Sequence, residues 1–128
     1  MKHRLFLILL IVLLLRGWAV STDKDVTYKQ ITISEAVEMM ASESDYIILD
    51  VRRPDEFATG HIPNAINIPN ESIGTDEISE LPDKDQLILV YCRSGNRSKQ
   101  ASQKLVKLGY SNVVEFGGIN DWKGEIEK

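Results

Sequence analysis

The chain holds one cysteine, Cys92, in the stretch "YCRSGNRSK" (Tyr91–Lys99). A thiol beside Arg93 and Arg97, with Gly95 and the hydroxyls of Ser94 and Ser98 close by, has the residue types of an anion cradle. Gly95 lets the backbone curl, and successive N–H groups of a curled loop form a concavity that receives anions. The helical spacing that starts at Ser98 adds a helix amino terminus, with unpaired N–H groups and about half a positive charge. A free cysteine titrates near 8.5, and helix ends and cations lower that value by about one to several units. The pattern therefore predicts a reactive thiolate that meets a second anion.

The elements around this stretch must deliver the thiol to the rim of a sheet. "QLILVYC" reads as a buried strand over Leu87–Tyr91 with Cys92 at its carboxyl end. "DYIILDVR" reads as another, Ile47–Leu49 with Val51 beyond Asp50, and Asn112–Phe116 as a third. A short strand is expected at Ala65–Ile68. Four helical segments alternate with these strands. The first has Ser34 as its N-cap and Ala36, Val37, Met40 and Ala41 on one face. Pro54 opens the second, and Gly60 stops it. A short one is expected around Asp76–Leu81. The fourth runs from Ser98, with Ala101, Leu105 and Leu108 on one face and Gly109 at its end. "GGINDWKG" then turns into a short closing helix. Apolar strands alternating with helices predict an α/β domain with a parallel sheet covered on both faces, whose ligands sit at the carboxyl ends of strands.

At 128 residues the chain has room for one domain. Its start differs from the rest. "MKHR" is cationic, Leu5–Leu15 is an unbroken apolar run, and "GWAVST" suits cleavage after Ser21. That is the pattern of a secretory signal over residues 1–21. The run is short for a membrane span, which takes about 20 residues. An uncleaved anchor is the alternative, and only in that case would the chain meet a membrane. Residues 22–30 read as a polar lead-in and 31–128 as the domain, exported and so periplasmic or otherwise extracytoplasmic. Removal of residues 1–21 takes three bases and no acids, leaving 12 bases against 19 acids. A domain this acidic is a poor partner for nucleic acid. The cations around Cys92 oppose that overall sign, so they point to a small anion. One cysteine forms no internal disulfide, and one remaining histidine does not make up a metal ligand set. No cofactor is expected, and a monomer is.

Loop length selects the reaction. Four residues separate Cys92 from Arg97, one fewer than in the loop with which cysteine phosphatases wrap a phosphoryl group. The smaller ring suits a persulfide on Cys92. "CRSGNRS" resembles the active-site loop of single-domain rhodaneses, the thiosulfate sulfurtransferases. Ile48–Pro69, "ILDVRRPDEFATGHIPNAINIP", and Phe116–Trp122, "FGGINDW", resemble two further motifs of that family. The resemblance spans about Thr32–Lys123. It implies a five-stranded parallel sheet and a double displacement, in which Cys92 takes the outer sulfur of thiosulfate, sulfite leaves, and a thiophilic acceptor (cyanide or a thiol) removes the sulfur. It also implies that Arg93, Ser94, Gly95, Asn96, Arg97 and Ser98 hold donor and persulfide. The cation Arg93 at the second loop position resembles the thiosulfate type.

Asn64 stands where the family usually has glycine, and asparagine tolerates a positive φ. Asp50 and Arg52 are expected to support the site by pairing with each other or with loop backbone, and His61 to be structural. Phe116 and Trp122 are expected in the core. A sulfur carrier or sensing module acting with a partner protein is the competing reading. A phosphatase is disfavoured by loop length, and a dithiol oxidoreductase by the lack of a second cysteine.

Overall fold

The computed structural model describes residues 27–128. The signal reading of residues 1–21 lies outside them. Among the described residues, no helix is long and apolar enough to cross a membrane.

Five strands form one sheet: β1 (Lys29–Gln30), β2 (Tyr46–Asp50), β3 (Ile66–Asn67), β4 (Leu87–Cys92) and β5 (Val113–Gly118). Their spatial order is β1-β5-β4-β2-β3, and every pair is parallel. The helices are α1 (Ile33–Ser42), α2 (Pro54–Ala58) and α3 (Asn96–Lys107), with single 3-10 turns at Asn70–Ser72 and Ile119–Asp121.

Both faces of the sheet are buried, which is why its central strands are apolar without alternation. Leu49, Val51, Ile88, Val90, Cys92 and Val113 face one side, where Ala101 and Leu105 of α3 cover them. Ile48, Leu89, Tyr91, Val114 and Phe116 face the other, packed with Ala36 of α1 and flanked by Ile33, Met39 and Met40. Each fully buried aliphatic side chain contributes about 1.5–3 kcal/mol. The period of two thus assigns Cys92 to the α3 side and Tyr91 to the opposite side.

Several local expectations are corrected. Thr32, not Ser34, caps α1: its hydroxyl accepts from the Glu35 N–H at 3.1 Å, and the Glu35 carboxylate accepts from the Thr32 N–H at 3.0 Å. That reciprocal capping box needs an acid three residues on, which Ser34 lacks. With the helix set by Thr32, its inner face is Ile33, Ala36, Met39 and Met40, and Val37 and Ala41 are exposed. No helix forms over residues 76–81. Ile73 and Leu81 anchor an irregular segment in the core instead, and the Leu81 carbonyl accepts from the Tyr110 hydroxyl at 2.6 Å. Gly74 and Pro82 bracket too few residues for a helical nucleus to repay its cost. Lys29 and Gln30, read as lead-in, pair with Val114 and Glu115 at the sheet edge. Trp122 is half-buried against the core rather than within it, and its indole N–H donates to the Glu125 carbonyl at 3.0 Å.

Candidate active site

Strand β4 ends in Cys92, and only Arg93, Ser94 and Gly95 intervene before α3 begins at Asn96, two residues earlier than the spacing predicts. Gly95 caps the helix at φ +113°, a left-handed conformation that admits glycine readily. This turn brings the Gly95 N–H to 3.0 Å from Cys92 Sγ. Asn96, Arg97 and Ser98 occupy the first turn of α3, where N–H groups have no helical carbonyl to meet. The sulfur thus lies buried beneath the Gly95 amide, at the amino terminus of α3.

A bulge in β5 seats the loop. Val90 of β4 pairs with Glu115, but Cys92 pairs with Gly118, so β5 carries one extra residue at this point. Gly118 then lies directly beneath the loop. A Cβ on it would fall 2.1 Å from the Arg93 carbonyl oxygen. The same carbonyl accepts from the Asn120 N–H at 3.1 Å. "FGGINDW" is therefore the backbone brace of the cysteine loop.

The predicted residues of the cysteine loop divide into three sets. Cys92, Gly95 and Ser98 are buried at the centre, where the Ser98 hydroxyl lies 3.4 Å from Sγ and donates to the Gly95 carbonyl at 2.9 Å or to the Glu115 carboxylate at 2.5 Å. Arg93, Ser94 and Asn96 are exposed at the mouth. Among the described residues Arg93 makes no ion pair, so its charge is open to an incoming anion. Arg97 turns aside: its guanidinium grips Glu56 of α2 in a two-pronged pair at 2.6 and 3.1 Å. Hydrogen bonds from Arg97, and then from the Arg53 N–H, hold the Glu56 carboxyl down at about 2 against the burial that opposes ionisation.

Asp50 and Arg52 do not reach the sulfur. The Arg52 guanidinium donates to both Asp50 oxygens, at 2.8 to 3.1 Å, and to the Gly60 carbonyl at 2.7 Å. The pair thus clamps the β2 end to the turn that carries His61 and Ile62. Tyr91 completes that clamp from β4, its hydroxyl accepting from the buried Ile62 N–H at 3.0 Å. Burial, and then the nearby Asp50, raise the Tyr91 phenol well above its ordinary range, so it stays neutral. His61 stacks on Phe57 at 3.8 Å and exchanges backbone hydrogen bonds with Glu127, on the far side of this clamp. Asn64 adopts φ +70°.

Sequence reading missed two residues of the site. Glu56 passes as an ordinary helix-start acid in "PDEFA". Glu115, 3% exposed, sits within the apolar strand "VVEF" and accepts from the Gly117 N–H at 2.9 Å. An acid inside a strand buried on both faces is itself a signal, because acids are almost never fully buried unless paired.

The site is thus a lone cysteine at the end of a parallel strand, its sulfur accepting from one loop N–H. The chain belongs to the rhodanese-like family: the family model "Rhodanese-like domain" matches residues 32–125. It is 41% identical over 86 residues to a sulfurtransferase of Allochromatium vinosum, covering 66% of this chain and 78% of that one. It is 37% identical over 73 residues to the thiosulfate sulfurtransferase PspE of Escherichia coli, covering 57% and 70%. Among solved structures, the chain matches the rhodanese-like domain protein of Staphylococcus aureus with a TM-score of 0.67 at 31% identity, covering 77% of this chain and 96% of that one. The chain spans 28% of the length of the adenylyltransferase and sulfurtransferase uba4 of Ogataea parapolymorpha, to which it is 32% identical over 111 residues. The five-stranded parallel sheet expected from the resemblance is present.

Proposed function

We propose that this protein is a thiosulfate sulfurtransferase working through a persulfide on Cys92. The observation that carries the reading is the Gly95 N–H directed at Sγ from 3.0 Å, at a buried strand end. A second sulfur on Sγ extends toward the mouth, where the amides of the α3 first turn are free to receive its charge. Arg93 draws the dianionic donor to that mouth. The Cys92 thiolate attacks the outer sulfur, a new S–S bond forms, and the electron pair of the donor's S–S bond leaves on sulfite. The acceptor then attacks the outer sulfur and restores the thiolate.

A second reading has an observation in its favour. A groove of about 910 Å³, floored by Ile33, Val37, Phe116 and Trp122, opens beside Ser94. It has room for an acceptor larger than cyanide, which suits a carrier that hands its sulfur to a thiol on a partner protein. The pattern of residues 1–21 supports export as the setting for either.

Intact-protein mass spectrometry before and after thiosulfate, with Cys92→Ser alongside, tests the reading. A gain of one sulfur atom in the wild type alone, removed by cyanide, is expected. No gain refutes thiosulfate as donor. A stable persulfide with slow turnover, accelerated by a protein thiol, selects the carrier reading. The same spectrum reports whether residues 1–21 are still attached.

A further inference from the structure

We propose that Cys92 and Glu115 hold a single proton between them through Ser98, and that Glu115 takes this proton when Cys92 loads sulfur. The proposal deepens the persulfide reading and rests on it for the loading step alone.

The three side chains form one buried line. Sγ lies 3.4 Å from Ser98 Oγ, which lies 2.5 Å from Glu115 Oε2. Their residues are 1%, 0% and 3% exposed. Among the described residues no cation pairs with Glu115, whose only other partner is the Gly117 N–H. Of the charged groups, Arg97 of α3 lies within electrostatic reach of Cys92, and the β1 residue opposite Glu115 is the neutral Gln30. A thiolate and a carboxylate bridged by one buried hydroxyl repel each other, so a single negative charge on the line costs less than two. Ser98 suits the transfer because a hydroxyl donates and accepts at once.

The step balances. The thiol proton passes to Ser98 Oγ as the Ser98 proton passes to Glu115 Oε2. The freed Sγ lone pair bonds the outer sulfur of thiosulfate, and sulfite leaves with the electron pair of the broken bond. The persulfide anion then sits above a neutral carboxylic acid, so the buried core carries one negative charge rather than two. When the acceptor removes the sulfur, the proton returns by the same path. Glu115 touches neither donor nor acceptor and is a positioning residue.

Two measurements test this. The rate of Cys92 alkylation by iodoacetamide is followed against pH in the wild type, Glu115→Gln and Ser98→Ala. A shared proton gives the wild type two rises separated by a plateau, and both variants lose the first rise. A single rise in the wild type, superimposable on that of Glu115→Gln, overturns the proposal. The second measurement needs no variant and so survives a failure to fold. Infrared difference spectra on thiosulfate addition are expected to gain a protonated-carboxyl band that shifts with carboxyl-labelled glutamate. Absence of that band in chain that has gained sulfur overturns the proposal. Absence of the sulfur itself counts against the persulfide reading, and the alkylation profile still decides where the proton sits.

Discussion

Replacing Glu56 by Gln removes the charge that ties α2 to the cysteine loop while keeping the side chain's shape and one of its two acceptor oxygens. The carboxyl is held at about 2 against a reference of 4.5, first by the Arg97 guanidinium. At about 1.4 kcal/mol for each tenfold change in proton affinity, that depression corresponds to about 3 kcal/mol. The Arg97 side chain is 25% exposed, and solvent screening reduces the expected contribution to about 2 kcal/mol. The sign follows from the direction of the shift. A carboxyl depressed by folding stabilises fully above its unfolded value, and the contribution fades as pH falls from about 4.5 toward 2. Urea unfolding of wild type and Glu56→Gln across this range therefore gives a gap of about 2 kcal/mol at pH 7 that closes in acid. Other carboxylates cancel in the comparison. A gap of the same size at pH 7 and pH 2.5 refutes the electrostatic argument and assigns the loss to packing. The substitution also leaves the Arg97 charge uncompensated near the mouth, so the KM for thiosulfate is expected to fall.

Gly118→Ala sets a methyl group against the Arg93 carbonyl and is expected to abolish sulfur loading while far-ultraviolet circular dichroism is retained; unimpaired loading would show that the loop is not braced by β5. Tyr91→Phe leaves the buried Ile62 N–H without its acceptor and is expected to cost about 1–3 kcal/mol in urea unfolding, whereas a loss below 0.5 kcal/mol would place water at that amide. Arg93→Ala is expected to raise the KM for thiosulfate with little change in kcat, a split that steady-state kinetics reads directly. Full donor use by that variant would remove Arg93 from recognition.

Legibility in the sequence followed burial. Strands β2 and β4 are continuous apolar runs because helices cover both of their faces, and this alone carries Cys92 to a strand end beside a helix. Edge strand β1 left no pattern, since Lys29 and Gln30 join the sheet through backbone and expose their side chains. The start of α3 was hidden by its composition: Asn96 and Arg97 look like loop residues, and the helix begins there because Gly95 takes the left-handed capping conformation. Ser34 has a capping side chain, but Glu35 stands at the capping-box spacing from Thr32 and fixes the helix start there. The partnership of Glu56 with Arg97, 41 residues apart, lay beyond any local pattern. It follows from how α2 packs over the loop.

The brace under the cysteine loop is made almost wholly of main chain: the bulged β5, the close approach of Gly118 and the amide of Asn120. Cys92 and Ser98 point inward, while Arg93, Ser94 and Asn96 point out and carry none of the scaffold's hydrogen bonds through their side chains. Architecture and selectivity are therefore written in separate alphabets at this site. The outward triplet can be rewritten to court other sulfur donors or acceptors while the sulfur-holding ring beneath keeps its shape, so a library varied at these positions samples specificity with little toll on folding.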